Sequence, residues 1–145
     1  MPYEAVADVM QALSDVSDKI LIDIANPIMP DYMALTIDHT TSAAEEIQKR
    51  APTAHVVKVL NTILADLLQE TDRASGNIQV FTAANDPAHA AIVADLIREM
   101  GFKPVPAGPL ANARYLEPLG EVNIHLGHAL GHGTRIAPVW MGLAV

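Results

Sequence analysis

Short apolar runs alternate along the chain with segments whose apolar residues recur at helical spacing. Residues 4–13 have the helical spacing and predict an amphipathic helix. Residues 19–28 are rich in isoleucine and predict a strand that is buried on both faces. Residues 55–61 are rich in β-branched residues and predict a second strand, and residues 78–85 predict a third. Residues 103–108 predict only a short edge strand, because their two prolines cannot donate ladder hydrogen bonds.

Helices are predicted between these strands from their start and stop signals. Ser42 and Glu45 form a capping box, and Glu45 stands four residues before Lys49 as in a helical ion pair. The dipeptide Asp86-Pro87 predicts the start of a further helix. The glycine at position 101 ends that helix, and its buried stripe is predicted to comprise Ile92, Val93, Leu96, Ile97 and Met100.

Strands that alternate with helices predict an α/β fold rather than a helical bundle or a β-sandwich. We expect a layered, mostly parallel sheet of about four strands with helices on both faces. No internal repeat, low-complexity run or linker interrupts the pattern. Residues 1–145 are therefore predicted to form a single domain.

Composition and charge narrow the range of partners. The 145 residues carry a net charge of −8 and their basic residues are not clustered, which disfavours binding to nucleic acid or to anionic lipid. The chain has no cysteine, no basic leader and no uncharged run of about 18 residues, so we expect a cytoplasmic protein without membrane contact. The apolar tail at residues 136–145 is expected to dock on the core or on a second subunit.

A glycine-rich turn after a first strand is the strongest sequence evidence for dinucleotide binding in this fold class. The chain has eight glycines, and only Gly131-His132-Gly133 begins such a motif, without a strand before it. The residue pattern alone therefore gives no indication that the chain binds a dinucleotide by itself.

Three stretches nevertheless resemble successive motifs of one reductase family. They are DIANPI at residues 23–28, VVKVLNT at residues 56–62 and GPLANARYLEPLGEVNIHL at residues 108–126. Residues 2–138 as a whole resemble the second half of the coenzyme-F₄₂₀-dependent NADP oxidoreductases, and the reductase domains of membrane ferric reductases are similar. The resemblance implies a truncated Rossmann-like domain that takes part in hydride transfer, with NADP as its cofactor.

The glycine-rich half with which that family begins has no counterpart in this sequence. By analogy, the adenosine and pyrophosphate of NADP would have no site within the chain, and the nicotinamide side of the cleft would remain. A partner chain or a dimer mate would then complete the cofactor site. The strand at residues 19–28 would also be an exposed apolar edge, so we expect a homodimer or a higher oligomer that covers it.

The strand ends hold the candidate cofactor-binding residues. Ligands in such folds lie beyond the carboxyl ends of strands, where Asn26 and Pro27 follow the first strand and Asn61 and Thr62 follow the second. Asn85 follows the third strand, and we expect these three ends to line one crevice. The alternative for each asparagine is a local role in capping a helix or a turn.

Three residues are candidate catalytic groups. Asp38 and His39 lie in the long loop after the first strand and could act as general acid or base, the alternative being a solvated loop. Lys58 lies in the middle of the second strand, where a charge must be paired or must reach water. A buried pair with Asp23 is the favoured interpretation of this lysine, and a catalytic role is the alternative.

The segment ANARYLEPL at residues 111–119 contributes the candidate substrate-binding residues Asn112 and Arg114. Arg114 and Glu117 are three residues apart, which is compatible with an ion pair within one helix. We assign Arg114 and Glu117 mainly to holding this helix against the strands, with substrate contact as the alternative.

Three histidines follow this segment. His125, His128 and His132 have the spacing i, i+3, i+7 and would project from one side of a helix. Three imidazoles could bind a transition metal, but glycines weaken this helix and no carboxylate lies between the histidines. We therefore expect interface or partly buried histidines and no bound metal. They would flank an apolar face formed by Val122, Leu126, Ala129 and Leu130.

The sequence supports two kinds of function with a small-molecule ligand, and a third, non-enzymatic possibility is an assembly subunit. The first is an oxidoreductase-like domain related to the NADPH- and F₄₂₀-dependent reductases, in which the cofactor carries the chemistry and the protein orients it. The second reuses the crevice without a nicotinamide, as a cofactor-independent lyase, isomerase or hydrolase or as a binding module.

Overall fold

The computed structural model of the chain describes residues 3–30, 34–37, 39–69 and 77–142. Its strands are β1 Ile20–Asp23, β2 His55–Val59, β3 Gln79–Ala84 and β4 Lys103–Pro106. Its helices are α1 Val6–Ala12, α2 Ala43–Arg50, α3 Ala65–Gln69, α4 Pro87–Glu99 and α5 Ala113–Ile124. Short 3₁₀ turns occupy Tyr3–Ala5 and Leu110–Asn112, and a π-helical turn, His125–Ala129, continues α5. Within these ranges, none of the helices combines the length and the apolar character that crossing a bilayer requires.

The four strands form one sheet in the order β1, β2, β3, β4. β1 is parallel to β2 and β3 is parallel to β4, whereas β3 runs antiparallel to β2 with Val57 opposite Ala84. The prediction of a mostly parallel α/β sheet is confirmed. The reversal at β3 has a consequence for function, because it sets the carboxyl end of β3 beside the amino end of β2.

The core lies on both faces of the two central strands. Side chains alternate between the faces of a strand, so Val57 and Val59 point to one face, where they cluster with Val93 and Ile97 of α4. Val56 points to the other face, where it clusters with residues of α1, α2 and the start of α5. Helices on both faces of the sheet were predicted, and this prediction is confirmed.

The predicted helix ends are present. Ser42 Oγ accepts a hydrogen bond from the Glu45 amide at the start of α2, and Asp86 caps α4 by accepting from the Ala88 amide. Gly101 follows α4 with a φ of +86°, a conformation that glycine adopts without strain. The predicted apolar stripe of α4 is partly wrong, because Ile92 is 58% exposed and Leu96 43% exposed. The sheet covers the side of α4 that carries its buried residues, Val93, Ala94 and Ile97.

The edge strand β1 is not buried on both faces, and that prediction is wrong. Ile22 and Ile24 are each 43% exposed because β1 has a neighbouring strand on one side only among the described residues. Val9 and Leu13, in and just after α1, are also exposed, and a groove of about 310 Å³ runs between α1 and β1. The prediction of an exposed apolar edge at this strand is confirmed.

The apolar tail docks on the sheet through its described residues, 136–142. The side-chain amide of Gln79 bonds both backbone groups of Trp140, donating to its carbonyl and accepting from its amide at 2.8 Å each. The Trp140 ring meets Phe81 edge-on with 5.3 Å between ring centroids. The predicted docking of the tail on the core is confirmed only in part, because Val139, Trp140 and Met141 are 48%, 63% and 84% exposed.

Candidate functional site

A cleft of about 450 Å³ opens at the carboxyl ends of β1 and β2. Its walls are mostly apolar and come from the segments after these two strands, from α3 and from the end of α5. The polar side chains that line it are Asn26, Asn61 and His128. A mostly apolar cleft with a few convergent polar groups is the usual form of a small-molecule site.

Asn26 and Asn61 form two reciprocal hydrogen bonds just after the carboxyl ends of β1 and β2. The Asn26 Nδ2 donates to the Asn61 carbonyl at 2.8 Å, and the Asn61 Nδ2 donates to Asn26 Oδ1 at 2.9 Å. Asn61 Nδ2 also donates to the Leu116 carbonyl of α5 at 2.8 Å. Leu60, immediately before Asn61, has a φ of +61°, which is uncommon for a non-glycine residue and frequent near functional sites. The pair is thus held from three elements.

Helix α5 approaches this pair at Gly120. A Cβ atom placed on Gly120 would lie 2.6 Å from the Asn61 carbonyl oxygen and 2.7 Å from Asn26 Oδ1. These distances are far below van der Waals contact, so the position accepts only a glycine without rearrangement. The close approach fixes α5 as one wall of the cleft.

Two buried oxygens at the end of β2 have no hydrogen-bond partner among the described residues. They are Asn61 Oδ1 and Thr62 Oγ1. Leaving a buried polar atom unpaired costs about 1–3 kcal/mol, so such atoms call for an explanation in a native structure. Both residues were predicted to bind a cofactor, and both atoms have unused capacity to accept a hydrogen bond.

Directly behind the cleft, Asp23, Lys58 and Glu117 form a buried triad of charges. The Lys58 side chain is 0% exposed, and its Nζ lies 3.0 Å from Asp23 Oδ2 and 2.9 Å from Glu117 Oε1. It also donates to the Ala25 carbonyl, one residue before Asn26. The predicted Lys58–Asp23 pair is present. Its ammonium is enclosed by protein groups and does not line the cleft.

Glu117 completes the triad from α5. Its two carboxylate oxygens accept hydrogen bonds from the Ala43 and Ala44 amides at the start of α2, at 3.0 and 3.3 Å. Burial raises the pKa of Glu117 above the usual value for glutamate, while Lys58 and these amides act in the opposite direction. Sequence reasoning placed Glu117 on α5 but missed its role in the triad. A single carboxylate beside Leu116 on a buried helix face was the available signal.

Arg114 does not pair with Glu117, and the predicted intrahelical ion pair is wrong. The two side chains have different partners. Glu117 pairs with Lys58, whereas Arg114 Nε and Nη2 donate to the two Glu45 carboxylate oxygens of α2, at 2.8 and 2.6 Å. These bonds lower the pKa of Glu45, with a smaller contribution from Ser42. The predicted Glu45–Lys49 pair is also wrong, because Lys49 binds Glu46 instead. Arg114 therefore ties α5 to helix α2 and not, as expected, to the strands. Glu117 provides the expected link to a strand, through Lys58 of β2.

Among the described residues, the predicted site residues Pro27, Thr62, Asn112 and His39 do not line the cleft. Pro27 is buried next to Asn26, and Asn112 donates to the Ala107 carbonyl in the loop before α5. His39 is exposed. Asp38 lies outside the described residues.

Asn85 does not share the crevice, and that prediction is wrong. Because β3 is antiparallel to β2, its carboxyl end lies at the opposite end of the sheet from Asn61. There Asn85 Oδ1 accepts a hydrogen bond from the Leu110 amide at 3.1 Å. The local alternative, a role in shaping a turn, describes its contact.

The three C-terminal histidines do not converge on one side of a regular helix. The helix changes to a π-helical turn at His125–Ala129, which alters the spacing of side chains. His128 reaches the cleft, His125 is half-buried and His132 is exposed. The apolar face predicted beside them is wrong in part, since Val122 is 54% and Leu130 58% exposed.

Comparisons with known proteins agree with the resemblance read from the sequence. No protein-family model matches the chain. The chain is 36% identical over 99 residues to the metalloreductase STEAP3 of Rattus norvegicus, covering 68% of this chain and 19% of that protein. It is also 36% identical to the crystal structure of a candidate F₄₂₀-dependent NADP reductase from Arthrobacter sp. FB24, with a TM-score of 0.81 over 92% of this chain and 64% of that one.

A second solved structure, of a hypothetical protein from Sinorhizobium meliloti, is 31% identical with a TM-score of 0.70, over 77% of this chain and 55% of that one. The chain thus spans about a fifth of the curated relative and less than two thirds of either solved structure. The Rossmann-like α/β fold is common to the chain and the reductase structure. Over the part of these proteins that it covers, the chain resembles the coenzyme-F₄₂₀-dependent NADP oxidoreductase family, and the resemblance predicted from its sequence is confirmed.

Proposed function

We propose that the chain forms the nicotinamide side of an NADP-dependent reductase and takes part in hydride transfer. The observation that carries the proposal is the apolar cleft at the end of β2, which is lined by Asn61 with its unpartnered Oδ1. The unpartnered Thr62 Oγ1 belongs to the next residue, which is buried and lies outside the lining. The relatives that name an activity are reductases, one of them NADP-dependent.

The residues of the cleft fit a nicotinamide. The carboxamide of that ring carries two N–H donors, which match Asn61 Oδ1 of the cleft lining and, in this proposal, the buried Thr62 Oγ1 next to it, while the apolar walls match a flat ring. When bound, reduced nicotinamide supplies a hydride to an acceptor, which in this proposal is an F₄₂₀-type deazaflavin or a related electron acceptor. Asn26 and Pro27 belong to the same proposed binding surface, because the Asn26–Asn61 hydrogen bonds fix its shape.

Positioning is the role we assign to the groups behind the cleft. Lys58 holds the Ala25 carbonyl, and with it the approach to Asn26, while Glu117 ties the same ammonium to α5. Asp38 and His39 remain candidates for moving a proton to or from the acceptor, and Asn112 and Arg114 for contacts with it. The cofactor-independent alternative is not favoured, since His128 is the one acid–base side chain among the described residues that line the cleft.

The remainder of the cofactor needs a second surface. Pyrophosphate binding in this fold class uses a glycine-rich turn at a helix start, and the sequence places no such turn after a strand. We propose that a partner chain or a dimer mate supplies it. The exposed apolar edge formed by α1 and β1 is the surface on which a homodimer or a larger oligomer would assemble, in the cytoplasm.

The experiment is a titration of the protein with NADPH, followed by calorimetry and by thermal stability. In Thr62→Val the side chain keeps its size but loses the unpartnered hydroxyl, so the ligand-free variant should be as stable as wild type or more stable. Its affinity for NADPH should fall about three- to tenfold, the effect of one lost hydrogen bond.

Thr53→Val is the matched control, because Thr53 is exposed and lies away from the cleft. It should bind NADPH as wild type does. Equal affinities of the Thr62→Val and wild-type proteins, or no stabilisation by millimolar NADPH, would contradict the proposal.

A further inference from the structure

His55, Asp86 and His89 come together at the end of the sheet opposite the cleft. His55 is the first residue of β2, and the antiparallel register that pairs Val57 with Ala84 sets residue 55 opposite residue 86. Asp86 caps α4, and His89 lies one helical turn further on. We call these three residues the His55 cluster.

The side chains of the His55 cluster are already in contact. The His89 Nδ1 lies 3.0 Å from Asp86 Oδ2, and the His55 and His89 rings stack with 3.8 Å between their centroids. One potential ligand atom from each residue lies within 4.8 Å of the other two. All three residues are half-buried, so the cluster is partly open to solvent.

The carboxylate is available as a ligand. Asp86 uses Oδ1 to cap α4, accepting from the Ala88 amide at 2.8 Å, and turns Oδ2 toward the imidazoles. An aspartate carboxylate is ordinarily ionised at neutral pH, as a metal ligand must be. Its charge also offsets the positive end of the α4 dipole, which would otherwise repel a cation.

Two imidazoles with one carboxylate are a ligand set for a divalent transition ion. Imidazole nitrogen favours zinc, copper, nickel and cobalt, whereas calcium and magnesium require mainly oxygen ligands. Three protein ligands with open positions for water match the coordination of such ions. Ligand atoms that bind one ion at about 2.0–2.2 Å lie at most about 4.4 Å apart. The three candidate ligand atoms already lie within 4.8 Å of one another, so small side-chain rotations would bring them onto the ion.

We propose that His55, Asp86 and His89 bind one divalent transition metal ion, linking the start of β2 to the start of α4. The ion would be held by protein side chains from two elements that are adjacent only because β3 is reversed. This site is separate from the proposed nicotinamide cleft and does not depend on its function. It also departs from the expectation of no metal, which rested on the C-terminal histidines and did not consider this cluster.

The test is a calorimetric titration of the full chain, without an affinity tag, with zinc, nickel or copper chloride. Wild type should bind one equivalent that is lost or weakened at least about tenfold in His55→Gln, His89→Gln and Asp86→Asn, the size of effect typical even for residues behind metal ligands. Asp86→Asn is the sharpest variant, because asparagine caps a helix as well as aspartate does and the fold should be retained.

His128→Gln is the matched control, since it removes an exposed imidazole at the other end of the sheet. It should leave this equivalent unchanged. A second measurement is the electron paramagnetic resonance spectrum of the copper complex, which should show two coordinated nitrogens in wild type and one in His89→Gln.

Three results would overturn the proposal. The first is that wild type binds no metal at millimolar concentration. The second is that the Asp86→Asn and His89→Gln single variants both bind the metal with wild-type affinity. The third is that His128→Gln no longer binds the one equivalent of metal. None of these results bears on NADPH binding, so this proposal and the proposed function can fail separately.

Discussion

The two ends of β2 carry polar groups under opposite conditions. At the carboxyl end, Asn61 and the buried triad are enclosed by protein. Their hydrogen bonds and ion pairs to three neighbouring elements fix the position of each side chain. At the amino end, the His55 cluster is half-exposed and its rings contact each other by stacking. An enclosed network suits the positioning of a flat ligand, whereas a half-open cluster can rearrange around an ion.

One strand direction separates these two ends. If β3 were parallel to β2, Asn85 would lie by the cleft and Asp86 would lie far from His55. The antiparallel register instead leaves the cleft with residues from the segments after β1 and β2, from α3 and from the end of α5, and it brings Asp86 to His55. The difference between the two regions therefore follows from topology and not from local residue pattern.

Replacing Lys58 by methionine should disrupt the buried charges at the carboxyl end of β2 and have the largest effect on the free energy of unfolding. The variant leaves Asp23 and Glu117 buried without a cation, and removing one partner of a buried pair costs about 3–5 kcal/mol. Urea unfolding at pH 7 measures the loss. Lys49→Met removes an exposed lysine and is the control, with a change of at most about 0.5 kcal/mol expected.

The pH dependence of this loss has a definite sign. The pKa of Glu117 is raised in the folded protein, so its ionisation opposes folding as pH rises through that pKa. Without Lys58 the pKa rises further, and the destabilisation should be greatest at pH 7 and smaller near pH 4, where the carboxyl is protonated. A loss independent of pH would show that the charges of the triad are not its cause.

The sequence predicted the residues at the carboxyl end of β2 better than the cluster at its amino end. The capping serine, the strand around Lys58 and the Asn26 and Asn61 positions are visible in short contiguous patterns, because burial and helix starts act over a few residues. The direction of β3 is not visible in the sequence, because a buried strand has the same apolar run whether its neighbour is parallel or antiparallel. Glu45 with Arg114, and His55 with Asp86, are joined by packing between distant segments, which no local spacing reveals.

Gly120→Ala should destabilise the protein less than Lys58→Met does, through the contact between α5 and the two asparagines. Alanine normally stabilises a helix by up to about 1 kcal/mol relative to glycine, but here the added methyl would meet the Asn61 carbonyl and Asn26 Oδ1. Overpacking costs about 1–3 kcal/mol, so we expect a net loss of about 1–2 kcal/mol and weaker NADPH binding.

Denaturant unfolding and calorimetry measure the two effects of Gly120→Ala. Gly142→Ala is the control, because a Cβ at that position meets no neighbouring atom. A Gly120→Ala protein that is more stable than wild type would mean that α5 can move away from the asparagines, and that the cleft wall is not fixed.

Arg114→Met tests the link between α5 and α2 beside the triad. The paired groups are partly exposed, so the stability loss should be at most about 1 kcal/mol even for a bidentate pair. Arg114 lowers the pKa of Glu45, so the wild-type advantage exists above the usual glutamate pKa and is lost as pH falls through the lowered value. Nuclear magnetic resonance titration of the Glu45 carboxyl should show its pKa rising in the variant, and an unchanged value would contradict the assignment.

The smallest expected effect is the coupling between the two ends of β2. At about 3.3 Å per strand residue they lie roughly 15–20 Å apart, and sites at such separations without shared partners act independently to within about 0.5 kcal/mol, roughly twofold in affinity. The NADPH affinity of Asp86→Asn should therefore equal that of wild type within about twofold, with and without zinc. A larger change would mean that the metal ion acts along β2 on the Asn26–Asn61 pair. In that case the two ends would form one regulated site, and the reversal of β3 would connect them rather than keep them apart.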